Sequence, residues 1–180
     1  MKDPVNLLPS RPHAVADEAA SASEVVVQLC AFYIGAAEYV LDIMRVEEIL
    51  PLQRVTPIPH APAFVEGVLH LRGVILPVVD LRCRLMGAPG PETPKSRLLV
   101  CKLGTRRLAV KVDRVAEVLR VRKGDIKPAP ALVVAGHSPF VVGVCGPPDR
   151  LRLLLDLKAL LRVELERESL KAPESARKGD

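Results

Sequence analysis

The chain is 180 residues long, 49% hydrophobic and carries a formal charge of +5, enough for one compact domain or two intimate subdomains that bury roughly 70% of the unfolded surface. No run approaches the roughly 18 apolar residues that span a bilayer, and the start, MKDPVNLLPSRPH, lacks the basic end and apolar block of a signal peptide; the expectation is a cytoplasmic protein without direct membrane insertion. Basic residues are scattered among acidic ones and aromatics make up 3%, so no nucleic acid is expected as a partner, and a basic β-barrel that binds nucleic acid is only the alternative reading.

Taken in order, Met1 to Glu24 mixes proline, alanine, serine and charges without periodicity and is read as a disordered N-terminal tail. Val25 to Ile34 and Glu38 to Ile43 are strand-like, joined by a turn at Gly35-Ala36-Ala37. Met44 to Leu50 fits either a strand or a helical turn. Pro51, Pro57, Pro59 and Pro62 then make an ordered loop, because each lacks an N–H and biases its predecessor toward extended geometry.

The stretch Phe64 to Met86 predicts two strands, Gly67 to Leu71 and Val74 to Asp80, around an Arg72-Gly73 turn that presents a long cation to a partner. Asp80 caps a short helix with Leu81 and Leu85 inward, and Gly87 ends it. Gly87 to Ser96, rich in turn formers, is an internal boundary. Strands follow at Arg97 to Leu103, Arg107 to Val112 and Val115 to Val121, then a second proline loop, Lys127-Pro128-Ala129-Pro130, and a last strand pair, Phe140 to Cys145 and Leu151 to Asp156. Asp156 caps a closing helix with Leu157, Leu160 and Leu161 on one face, and residues 167–180 are read as a disordered tail.

The chain repeats itself. Aligning Ile34-Gly35 with Leu103-Gly104 pairs Arg45-Val46 with Arg114-Val115 and Glu48 with Glu117. Further on, Phe64-Val65 meets Phe140-Val141, Gly67-Val68 meets Gly143-Val144 and Asp80-Leu81 meets Asp156-Leu157. A unit of this length suits two small β-subdomains related by duplication, at about 25–90 and 97–166. Leu71-Arg72-Gly73 falls opposite Pro147-Pro148-Asp149, so Arg72 reads as an addition of the first copy.

Phosphate-cradling, dinucleotide, zinc-protease and hydrolase-elbow motifs are missing, and His13, His60, His70 and His137 lie far apart. Cys30, Cys83, Cys101 and Cys145 sit mostly within apolar runs, as buried reduced thiols do. Asp80 and Asp156 read as helix caps, not an acid/base pair, and Glu47-Glu48 as a solvated strand edge. The expectation is no enzyme, no catalytic residues, no cofactor and no metal.

FYIGAAEYVLDIMRVEEIL, VTPIPHAPAFVEGVLHLRGVILPVVDLRCRL, DIKPAPAL and RLRLLLDLKALL together resemble the CheW-type chemotaxis coupling proteins over nearly all of Val25 to Leu165. The resemblance implies a CheW-like domain over 25–166: mainly β, two interlocked five-stranded barrel subdomains with short helices, strand exchange between them being open. It implies a non-enzymatic adaptor joining chemoreceptor cytoplasmic tips to the regulatory domain of a CheA-type histidine kinase, recruited to membrane-bound receptor arrays. Receptor binding would fall to Val46, Arg72 and Gly73, and the kinase and ring interface to Lys127 and Leu132. His70, Val40, Lys127 and Leu132 depart from the family pattern, which points to a system other than a standard flagellar one.

Overall fold

The computed structural model describes residues 25–130 and 139–160. The expected tails, Leu132 and the closing helix beyond residue 160 lie outside the described residues.

In chain order the elements are β1 (Val26–Ile34), β2 (Ala37–Asp42), a 3-10 turn (Ile43–Arg45), β3 (Val46–Pro51), β4 (Val65–Leu71), β5 (Val74–Asp80) and helix α1 (Leu81–Met86). After the glycine- and proline-rich link come β6 (Arg97–Leu103), β7 (Arg106–Val112), β8 (Arg114–Arg122), a second 3-10 turn (Lys123–Asp125), β9 (Lys127–Pro128), β10 (Val141–Cys145) and β11 (Arg152–Leu155). Ile34 pairs with Ala37, so the first turn is Gly35-Ala36, one residue tighter than expected. The open choice at Met44 to Leu50 resolves into both alternatives: Asp42 Oδ1 accepts from Met44 N at 2.9 Å to start a 3-10 turn, and a strand follows.

Two sheets form, one in the order β8-β1-β2-β11-β10-β9 and one in the order β3-β6-β7-β5-β4. Each is built from a hairpin of one repeat flanked by strands of the other. The exchange is reciprocal down to strand direction, since β2 runs parallel to β11 as β7 does to β5. Each sheet also closes on itself through the segment that follows its edge strand. Thr56, after β3, exchanges backbone hydrogen bonds with Val68 on β4 at 2.8 and 2.9 Å, and Lys127, after β8, pairs with Val144 on β10. The sixth strand of the larger sheet is this two-residue closing piece, so two interlocked barrels result.

The equivalent glycines explain the closeness of these closures. A Cβ on Gly67 would lie 2.1 Å from Thr56 O, and one on Gly143 would lie 3.0 Å from Lys127 O. Only a residue without a side chain admits the crossing backbone in the first barrel.

Three apolar clusters account for the Val- and Leu-rich composition. Leu29, Ala31, Val40 and Cys145 fill one barrel, and Leu69, Val78, Leu98 and Ala109 fill the other. Cys30, Phe32, Ile34, Leu99, Cys101 and Val110 face the larger core between them. Strands β1 and β6 are therefore buried on both faces and read as continuous apolar runs. Each fully buried Leu or Phe contributes about 2 kcal/mol, so this shared core binds the barrels into one body.

At its rim Arg84 of α1 lies over both the Phe64 and the Phe140 ring, 4.3 and 4.5 Å from the centroids, and its Nε donates to Leu160 O at 3.2 Å. The two rings are repeat equivalents. So are the hydrogen bonds beside them: Asp80 N donates to Phe64 O and Asp156 N to Phe140 O, both at 2.8 Å.

Candidate functional site

The hairpin of β4 and β5 carries the first candidate site. Leu71 pairs with Val74, leaving Arg72 and Gly73 as a two-residue turn with φ of 48° and 84°. Left-handed geometry at both positions matches the right-handed twist of the strands. Gly73 adopts it without strain, whereas Arg72 holds an unusual conformation for a long side chain. The side chain stays 75% exposed, and its Nη2 donates to Glu48 Oε1 on β3 at 2.7 Å.

This bond ties the turn to the strand that carries Val46. A bulge between Val46 and Glu48 reverses the alternation of β3, so Val46 packs on the shared core while Leu50 enters the barrel filled by Leu69, Val78, Leu98 and Ala109. The surroundings are apolar and open: Val74 and Ile75 directly after the turn, Ile49 directly after Glu48, and Met44 just before Val46 are all exposed. Glu47 is held by Arg107 at 2.6 Å. Neither carboxylate of the Glu47-Glu48 pair is simply solvated, as the sequence suggested; each is tied to an arginine. The arrangement offers a cation beside apolar side chains on a rigid frame, which suits a protein surface better than a small substrate.

Rigidity comes from below the hairpin. Asp80 Oδ1 accepts from Cys83 N at 2.9 Å and starts α1, and Gly87 in left-handed geometry ends it. Lys111 Nζ joins Glu66 of β4 at 2.7 Å, Asp80 at 3.2 Å and Glu92 of the link at 3.2 Å. Burial disfavours the ammonium, but the three carboxylates outweigh it and push the Lys111 pKa up.

The second turn of the repeat, between β10 and β11, contains an arginine too. Arg150 donates to both carboxylate oxygens of Glu38 at 2.8 and 2.9 Å and to Glu117 at 3.3 Å. Glu117 is the repeat partner of Glu48. The arginine of the first turn is thus not an addition peculiar to that copy; what sets it apart is its exposure. Glu38 is 4% exposed and shared with Arg152; burial raises its pKa, yet hydrogen bonds and charge from Arg150 and Arg152 prevail and hold it below the usual value. The repeat pointed to Glu117 but not to Glu38 or Arg150.

Lys127 is exposed on β9 and its Nζ donates to Gly124 O at 2.9 Å. It belongs to the six-stranded sheet, whereas the hairpin that carries Arg72 belongs to the five-stranded one; Leu132 is outside the described residues. All four cysteines are free and buried. Burial foremost, with the neighbouring Cys30 and Glu47, pushes the Cys101 thiol up to about 12, the opposite of what a nucleophile needs. Among the described residues no helix is long and apolar enough to cross a membrane.

Comparison with known proteins fits this architecture. The CheW-like domain family model matches residues 28–165. The chain is 36% identical to a protein named chemotaxis protein CheW from Rhizobium meliloti, covering 79% of this chain and 91% of that one. It is 34% identical to the chemotaxis protein CheW of Klebsiella aerogenes, over 74% of this chain and 80% of that one. Protein FrzA of Myxococcus xanthus is 32% identical, over 68% and 78%. The crystal structure of the scaffolding protein TtCheW from Thermoanaerobacter tengcongensis superposes with a TM-score of 0.69 at 29% identity, covering 76% of this chain and 88% of that one.

Proposed function

Because this chain belongs to the CheW-like domain family, we propose that it is the adaptor coupling chemoreceptors to a CheA-type histidine kinase in chemotaxis or motility signalling. It works without catalysis of its own, by holding two proteins in one geometry and favouring one kinase state over another. The observation that carries the reading is the exposed Arg72-Gly73 turn, braced by Glu48 beside open apolar residues on a two-barrel frame.

Chemistry supports a division of labour. A receptor tip presenting an apolar helix face would settle against Val46 and its neighbours, with the Arg72 guanidinium fixing register and Gly73 permitting the turn that aims it. Lys127, with Leu132, would serve the regulatory domain of the kinase and the assembly of rings. Through the receptor the adaptor would join membrane-bound arrays.

Reconstitution tests the function directly. Receptor cytoplasmic fragments, the cognate kinase and this chain are mixed, sedimented and assayed for autophosphorylation. The kinase is expected to sediment with receptor, and to come under receptor control, only when the chain is present. Equal recruitment and control without the chain would contradict the reading.

A further inference from the structure

Where the six-stranded sheet closes, β8, β9 and the two ends of the β10–β11 turn surround a cavity of ≈ 520 Å³. That is the size of a small-ligand pocket, which runs to roughly 300–1,000 Å³. Leu119 and Val121 give it an apolar wall continuous with the barrel core. The rest of its lining is conspicuously cationic.

The charges divide into satisfied and unsatisfied. Arg122 Nε donates to Asp125 Oδ2 at 3.0 Å. Arg120 and Lys127 have no carboxylate partner among the described residues, and both line the cavity. Arg152 is held differently, with its side chain 9% exposed, Nε 3.1 Å from Glu38 Oε1 and Nη2 3.4 Å from Glu117 Oε1. Its remaining nitrogen, Nη1, faces Gly146, where an added Cβ would come within 3.2 Å of it. A guanidinium held by two carboxylates at the cavity's edge is pre-organised to donate to an anion, and two cations without a carboxylate partner among the described residues match a doubly charged one.

We propose that this cavity binds a small phosphate-bearing ligand, with Arg120 and Lys127 as its charge partners and Arg152 Nη1 as a fixed donor. A concave site with an apolar wall favours a small phosphate ester over an acidic protein segment, which would need a longer and flatter charged track. This inference does not rest on the adaptor reading.

The test is calorimetric titration of the full chain with inorganic pyrophosphate and with ADP, at matched ionic strength with chloride as control. Saturable binding of either probe is expected, weakened about tenfold or more in the Arg120→Gln, Lys127→Gln double variant. An unchanged thermal midpoint in that variant would show that its fold is intact. Tighter binding of ADP than of pyrophosphate would add the apolar wall to the recognition. Absence of saturable binding by both probes, equal binding by the double variant, or binding only of a glutamate-rich peptide would overturn the proposal.

Discussion

The turns between β4 and β5 and between β10 and β11 occupy equivalent places in the repeat and use the same pair of residue types to opposite ends. Each has an arginine that reaches a repeat-equivalent glutamate, Arg72 to Glu48 and Arg150 to Glu117. The second turn is longer, closed by Arg150 N donating to Pro147 O at 2.9 Å, and its arginine also grips the buried Glu38 bidentately. The first is a tight two-residue turn in left-handed geometry, whose Arg72 stays exposed with Nη2 donating to Glu48. Of two similar corners, one is an internal brace and the other leaves its guanidinium exposed.

The two halves differ most at the backbone. Gly67→Ala drives a methyl into the Thr56 carbonyl, and a loss of about 3 kcal/mol or more in denaturant unfolding is expected. Gly143→Ala meets Lys127 O at 3.0 Å and should cost about 1 kcal/mol. Similar losses in both would mean that the two barrels close with equal tightness, against the distances found.

At the side chains, Glu38→Ala strands Arg152, leaving it Glu117 alone, and should cost about 2 kcal/mol. Glu48→Ala removes a largely exposed pair and should cost less than about 1 kcal/mol. If urea midpoints fell equally, the brace and the presented arginine would not be the different devices described.

The smallest effect is one of pH. The Glu38 carboxyl titrates below its ordinary value in the folded chain, so its stabilisation is complete above the unfolded value, about 4.3, and disappears as pH falls through the folded one. Glu38→Gln should therefore lose less stability than the wild type over that acid window. An equally steep loss in the variant would assign the acid sensitivity to other carboxylates.

The strands show in the sequence because they are bounded by glycine, proline and charge, and Asp80 and Gly87 mark the start and stop of α1 by their chemistry. The repeat revealed that Glu48 corresponds to Glu117. It could not reveal which copy pairs with which, since equivalence says nothing about partners. That is settled by connections too short to turn back: three residues of 3-10 turn between β2 and β3, and Asp113 alone between β7 and β8. Nor does alternation along β3 show where Val46 points, because the bulge at Glu47 inserts a residue. Arg150 meets Glu38 across 112 positions of sequence, a contact no local pattern encodes.

If Arg72 acts outward, its loss must weaken a partner's binding without weakening the fold. Capture of receptor cytoplasmic fragments by immobilised Arg72→Ala chain, measured beside its urea midpoint, tests this most directly, with Arg72→Asn as a second variant that tolerates the left-handed turn. Binding should weaken by on the order of 2 kcal/mol in both while the midpoint stays within about 0.5 kcal/mol of wild type. Undiminished capture, or a midpoint that falls together with the binding, would show that this arginine serves the fold and not a partner.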